Sequence, residues 1–146
     1  MAAWLDDALG LALTRVDKIA LGCVDFPRIS ANRKWQTTPD GVCAGGFWAG
    51  LLWREFEQSK SAATRGRAMS FTERLLPRAQ DTHNHDLGCM FFPSAIEGWE
   101  STGDVRYHDS AVAARRVATR IKVWGRTVPG RVARHGRWHA LPSSRK

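Results

Sequence analysis

Apolar side chains recur at steps of three and four along most of the first 121 residues, and nowhere do they alternate convincingly as a half-buried strand requires. In 2–19, Trp4, Ala8, Leu11, Ala12, Val16 and Ile19 fall on one stripe of a helix. The stretch 23–44 carries Pro27, Asn32, Pro39, Asp40 and Gly41; it reads as a loop-like linker, with Asp40-Gly41 a tight turn. Further helices are expected over 46–58, 61–76, 86–101 and 105–121. Pro77 should close the second of these, Gly103 should separate the last two, and Asp104 should cap the final one. The pattern predicts an all-α fold.

Two of these helices look related. Gly46-Phe47-Trp48 and Gly88-Cys89-Met90 stand 42 positions apart, each opening an apolar run that ends in a polar turn before another helix. A helical hairpin used twice is the simplest reading.

The length of 146 residues suits one domain, and seven Trp, six Phe and a 43% hydrophobic share supply a real core. Wholesale disorder and collagen-like or prion-like classes are excluded. Cys23, Cys43 and Cys89 are odd in number and form no CxxC pair, so reduced, unpaired thiols are expected. The first twenty residues have no basic start and carry Asp6 and Asp7 before any long apolar run. No run of about eighteen apolar residues exists, so a soluble, cytoplasmic chain with no membrane partner is expected.

Charge is unevenly placed. Residues 1–109 hold 12 basic and 14 acidic side chains, whereas 110–146 hold ten basic ones and no acid. The formal net charge of +8 therefore belongs to the end of the chain. A nucleic-acid-binding or interaction module built on this end, with Trp124 and Trp138, is the alternative function. No helix-turn-helix, zinc or RNA-recognition motif accompanies the charge, so a solvated tail, irregular or disordered over 121–146, is the preferred expectation and a nucleic-acid partner is not.

Two clusters have the residue types that chemistry needs. In Asp81-Thr82-His83-Asn84-His85-Asp86, a carboxylate stands at a helix start, where backbone N–H groups favour its charged form and burial against Trp and Phe would oppose it. Asp86 is thus placed for proton transfer, while Asp81 or Asn84 as a plain cap is the structural alternative. His83 and His85 are two apart and point different ways; with Cys89 they lack a matching second pair, so no metal site is expected, and no cofactor. In Gly45-Gly46-Phe47-Trp48-Ala49-Gly50-Leu51-Leu52-Trp53, glycines permit close approach of a backbone or a ligand, and aromatic faces suit sugar rings. Trp48 and Trp53 are five apart, off a single face, so at least one should sit in the core.

At these clusters the chain resembles the unsaturated glucuronyl hydrolases, glycoside hydrolase family 88. Residues 45–53 look like the family's G-G-F-W-P-G-x-L-W signature. His85-Asp86-Leu87-Gly88-Cys89-Met90-Phe91 looks like its H-D-L-G-F-M-F, and Thr102-Gly103-Asp104 with Tyr107 is similar to the T-G-D-x-x-Y that follows. Order and spacing fit over about residues 4–120.

The resemblance implies an (α/α)6 barrel, six helical hairpins closed into a ring with sugar at its mouth. It implies that Asp86 is catalytic, that Phe47, Trp48 and His85 bind substrate, and that the substrate is an oligosaccharide bearing a 4,5-unsaturated uronic acid left by a polysaccharide lyase. In this family the C4=C5 enol ether is hydrated, and the anomeric carbon is not attacked. The family's main acid/base lies in a downstream D-T-M-M-N segment, which Asp81-Thr82-His83 does not reproduce, and no acid follows Asp109. Cys43 and Ala44 stand where the family has a Trp-Thr pair.

Six hairpins of roughly 40–50 residues each exceed this chain, which has one leading helix and two hairpins. The expectation is therefore an incomplete (α/α)6 barrel over 1–120 followed by a basic tail, in a fragment or degenerate copy that is inactive alone. Apolar helix faces left open, at roughly 1.5–3 kcal/mol for each Leu or Phe, should promote self-association. The abrupt end of both resemblance and helical period near residue 121 is what an out-of-frame tail would give.

Overall fold

A computed structural model describes residues 3–121 and, beyond them, only the backbone at 122–123, 126–127, 133–134 and 137–138. The chain opens with α1 (Ala3–Gly22), a β-hairpin of β1 (Phe26–Ala31) and β2 (Lys34–Thr38), and a helical hairpin of α2 (Gly45–Ser59) and α3 (Ala62–Leu75). A 3-10 turn (Leu76–Gln80) leads to a second helical run. That run comprises α4 (Leu87–Phe91), a π turn (Phe92–Ile96) and α5 (Glu97–Thr102), and α6 (Val105–Ala118) returns along it.

The boundaries follow local chemistry. Ser61 caps α3 by accepting from the Thr64 amide, and Asp104 caps α6 by accepting from the Arg106 amide. Gly103, at φ +73, ends α5 in the left-handed geometry that glycine adopts without strain. Pro77 lies inside the 3-10 turn, two residues past the end of α3. The two helical runs start at Gly45 and Leu87, 42 positions apart, as the repeated pattern predicts.

The stretch expected to be a loop-like linker is instead a two-stranded antiparallel hairpin. Asn32 and Arg33 form its turn, both with positive φ (50 and 62), as a two-residue type I′ connection requires. Arg28 is an extra residue where the register shifts between Pro27 and Ile29. The strand period was hidden because most of the hairpin is exposed, so no apolar alternation marks it. Phe26 anchors the base, fully buried and edge-on to Phe71 at 4.9 Å. The Arg74 guanidinium lies over both rings, donates to the carbonyls of Val24 and Pro39, and pairs with Asp25 at 2.5 Å.

The buried stripe of α1 also differs from expectation. Leu13, Val16 and Ala20 are buried, while Trp4 and Leu11 are 71% and 75% exposed. Trp4 and Leu11 stand on the face of α1 turned away from Leu13 and Ala20, about 180° round at 100° per residue, and the C-terminal end of α2 reaches α1 only at Gly10, where Gln58 faces it. The first seven residues of α1 run on for about 10 Å past that end and find no cover among the described residues.

The core lies between α2, α3, α4 and α6, centred on Trp53, Phe71, Leu75, Leu87, Met90 and Tyr107. Within it, the Trp53 indole N–H of α2 donates to Thr72 Oγ1 of α3 at 2.9 Å, a buried hydrogen bond between side chains. Past residue 121, Lys122–Val123 pairs with Arg126–Thr127 and Ala133–Arg134 with Arg137–Trp138, two short antiparallel ladders where irregular chain was expected. The remainder of the tail, including Trp124, lies outside the described residues.

Candidate functional site

The glycine-rich cluster builds the start of α2. Gly41 and Val42 turn the chain through consecutive left-handed positions (φ 71 and 47), and the Gly45 amide donates to the Gly41 carbonyl at 2.7 Å. Gly46 and Gly50, one turn apart, face α4 and the π turn. A Cβ on Gly46 would lie 2.1 Å from the Met90 carbonyl oxygen, and one on Gly50 would lie 2.7 Å from that of Pro93. These glycines therefore serve the close approach of two helix backbones.

That approach separates the aromatic residues. Trp48 is 6% exposed and edge-on to Phe71 at 6.1 Å, with its indole N–H buried and unpartnered. Trp53 is fully buried as well, so both tryptophans are core residues. Phe47 points the other way, 57% exposed, with Leu51 exposed one turn on. Of the two candidate stacking residues, only Phe47 offers a ring to solvent.

The polar cluster is a loop of two successive side-chain turns. Asp81 Oδ1 accepts from the His83 amide at 3.0 Å, and Asn84 Oδ1 accepts from the Asp86 amide at 2.9 Å. Asp86 occupies the cap position of α4, but its side chain accepts no backbone N–H. Its carboxylate is 3.3 Å from His85 Nε2 and about one third exposed, not buried against Trp and Phe. His83 is almost fully exposed and Cys89 is exposed.

Arg78 joins the two clusters, and sequence reasoning missed it. Its guanidinium donates to the carbonyls of Asp40 (3.2 Å) and Val42 (2.8 Å) and to Asp81 Oδ2 (3.1 Å). The Asp81 carboxyl is held below the usual carboxylate range, first by that Arg78 bond and then by the His83 amide. The loop entering α2 and the loop entering α4 are thus clamped by one cation. The Gly46 contact with Met90, one turn on from Asp86, brings Phe47 and the His85–Asp86 pair to adjoining helix ends.

No family model matches the chain. It is 30% identical over 135 residues to the unsaturated glucuronyl hydrolase of Bacillus sp. (strain GL1), covering 83% of this chain and 34% of that one. It is 32% identical over 92 residues to an unsaturated chondroitin disaccharide hydrolase of Streptococcus pneumoniae (strain ATCC BAA-255 / R6), covering 55% and 23%. The chain resembles the N-terminal part of the unsaturated glucuronyl hydrolases. It spans about a third of the length of the first relative.

A crystal structure of an unsaturated glucuronyl hydrolase specific for heparin superposes with a TM-score of 0.68 at 22% identity, covering 80% of this chain and 32% of that one. The fold is accordingly an arc of an (α/α)6 barrel, with α1 and two helical hairpins. The strands of the β-hairpin sit outside that helical scheme. Among the described residues, no helix is long and apolar enough to cross a membrane.

Proposed function

We propose that the junction of α2 and α4 binds the 4,5-unsaturated uronic acid at the non-reducing end of a lyase-generated oligosaccharide, with Asp86 as its proton-handling group. The observation that carries this reading is the His85–Asp86 pair at the head of α4, a helix end joined by the Gly46–Met90 contact to the start of α2, where Phe47 is exposed. Similarity to glucuronyl hydrolases supports the substrate class. Phe47 offers a ring face to the sugar, and His85 orients the carboxyl.

The chemistry is hydration of an enol ether. A carboxylic acid gives its proton to C4, and a water oxygen bonds to C5 as that water returns a proton to the carboxylate. Water is thereby added across the double bond and the acid is regenerated. The C5 hemiketal opens to a ketone, and the freed hemiacetal at C1 collapses and releases the next sugar. No anomeric displacement occurs, so the usual spacing rule for paired glycosidase carboxylates does not govern this site.

On its own, the chain binds without sustained turnover in this reading. Asp81, the other carboxylate of the loop, is committed to Arg78 and the His83 amide, which favour its ionised form over the proton donor that the reaction needs. Trp48 is buried, so stacking falls to Phe47. The test is incubation with a lyase-generated unsaturated disaccharide, following loss of the enol ether absorbance, beside calorimetry with the same sugar. Binding that weakens about tenfold in Asp86→Asn, with no sustained loss of absorbance, is expected; tenfold corresponds to about 1.4 kcal/mol. Sustained turnover that disappears in Asp86→Asn would overturn the inactivity and keep the substrate class. Absence of binding would overturn the substrate class.

A further inference from the structure

The C-terminal half of α1 and strand β2 flank an open surface cavity of about 690 Å³, within the size range of small-ligand sites. Its lining includes Arg15 and Lys18 from α1, Lys34, Trp35 and Thr37 from β2, and Asp25 from the connection between them. None of these belongs to the α2–α4 junction.

The cavity is cationic inside a body that is not. Residues 1–109 carry two more acids than bases, yet three basic side chains meet here with one carboxylate. That carboxylate, Asp25, is engaged by Arg74 at 2.5 Å. Asp17, the acid of α1 nearest in sequence to Arg15 and Lys18, is engaged by Arg67 at 2.5 Å. Arg15, Lys18 and Lys34 form no ion pair among the described residues. Arg15 and Lys18 are three apart on α1 and project to the same side.

An aromatic face accompanies the charge. Trp35 is 43% exposed, in a strand whose backbone is fixed by pairing with Ser30. The hairpin that presents it is held to α3 by Arg74 and by Phe26 against Phe71. Exposed cations free of ion pairs among the described residues, beside a flat, half-open indole, suit a ligand with anionic groups on an apolar-faced ring.

We infer that this cavity binds an anionic saccharide, its carboxylate or sulfate groups held by Arg15, Lys18 and Lys34 and one ring face lying on Trp35. The site stands independently of the proposed chemistry at Asp86.

The test is calorimetric titration of the full chain with a saturated uronate tetrasaccharide, a sulfated counterpart and a neutral tetrasaccharide. Saturation removes the double bond on which the Asp86 reading depends. Saturable binding of one or both anionic sugars is expected, with the neutral one at least about tenfold weaker. Preference between the two anionic sugars tells carboxylate from sulfate. The double variant Lys18→Gln/Lys34→Gln should weaken binding about tenfold or more and Trp35→Ala several-fold. Both lysines are on the surface, so unchanged circular dichroism and melting of the double variant verify its fold.

Three results would overturn the inference. They are equal affinity for the neutral sugar, no binding of either anionic sugar, and affinity unchanged in the lysine double variant. A single-stranded oligonucleotide that binds more tightly than the sugars and is lost in the same lysine variant would also overturn it, reassigning the cavity to nucleic acid.

Discussion

Gly46 lies directly against the backbone of Met90, closer than any side chain on α2 would permit. A methyl group there would sit 2.1 Å from the Met90 carbonyl oxygen, a position that backbone must vacate. Gly46→Ala is expected to cost about 2–3 kcal/mol by forcing α2 and α4 apart. Gly66, in the exposed middle of α3, has nothing within 4 Å of a Cβ. Gly66→Ala should therefore stabilise by about 0.5–1 kcal/mol through helix propensity. Urea melts of the two variants check the contrast, and similar effects of the same sign would refute the contact.

Thr72 gives the buried Trp53 indole its acceptor. Thr72→Val keeps the shape and leaves that N–H unpaired, so a loss of about 1–3 kcal/mol is expected. Thr72→Ser, which restores an oxygen, should recover part of it. Thermal melts of the two variants decide the matter; equal melting temperatures would show that the hydrogen bond contributes nothing.

The hairpin turn places an arginine in a left-handed position. Arg33 has φ 62, a conformation that costs a non-glycine residue about 1–2 kcal/mol. Arg33→Gly supplies the Asn-Gly pair that type I′ turns favour and is expected to stabilise by about 0.5–1 kcal/mol. Loss of stability in a denaturant titration would contradict the turn type.

Acid should weaken the fold in part through Asp81. Arg78 and the His83 amide bind its ionised form, so the folded carboxyl titrates below the unfolded one. Its contribution is complete above the ordinary carboxylate pKa and is lost as pH falls through the lowered value. Glu97 runs the opposite way: burial raises its pKa, which Arg54 offsets only in part. The native state therefore takes up that proton first, and ionising Glu97 costs stability as pH rises through its range. Melting temperature measured from about pH 3 to pH 6 should fall less steeply on the acid side for Asp81→Asn. Over the same span Glu97→Gln should lose the small decline toward higher pH. Curves parallel to the parent would show that neither group is coupled to folding.

Trp4 and Leu11, seven positions apart on the outer face of α1, form an apolar face that water must meet. Self-association through this face is the expected outcome, and Leu11→Glu should shift sedimentation toward monomer. A parent chain that stays monomeric across a hundredfold concentration range would exclude it.

Much of this arrangement is legible from residue types. The helices, the Asp104 and Gly103 boundaries and the 42-residue spacing follow from local chemistry that tertiary packing reinforces. The β-hairpin escaped because Asn32-Arg33 lacks the usual glycine and the strands have little to bury. Trp4 and Leu11 fit a helical stripe, but burial depends on which face of α1 is turned to the core, and that face carries Leu13, Val16 and Ala20 instead. At the candidate site, the motifs locate Phe47, His85 and Asp86. They cannot separate Trp48 from Phe47, because burial is decided by which face of α2 meets Phe71. Arg78 acts across 36 residues on a backbone carbonyl, a partnership without a sequence signature.

The π turn at Phe92–Ile96, with Pro93 unable to donate and Ser94 Oγ donating to the Met90 carbonyl at 2.6 Å, holds one more residue than a regular helical turn would. Beyond it, Gly98 slots between Trp53 and Tyr107 with no room for a methyl group. Deleting one residue from 92–96 would let the helix run straight, yet it would swing everything downstream by about 100° and drive a neighbouring side chain into that slot. Length in this short segment is accordingly as heritable as residue identity, and a gap there would need a compensating insertion before Thr102.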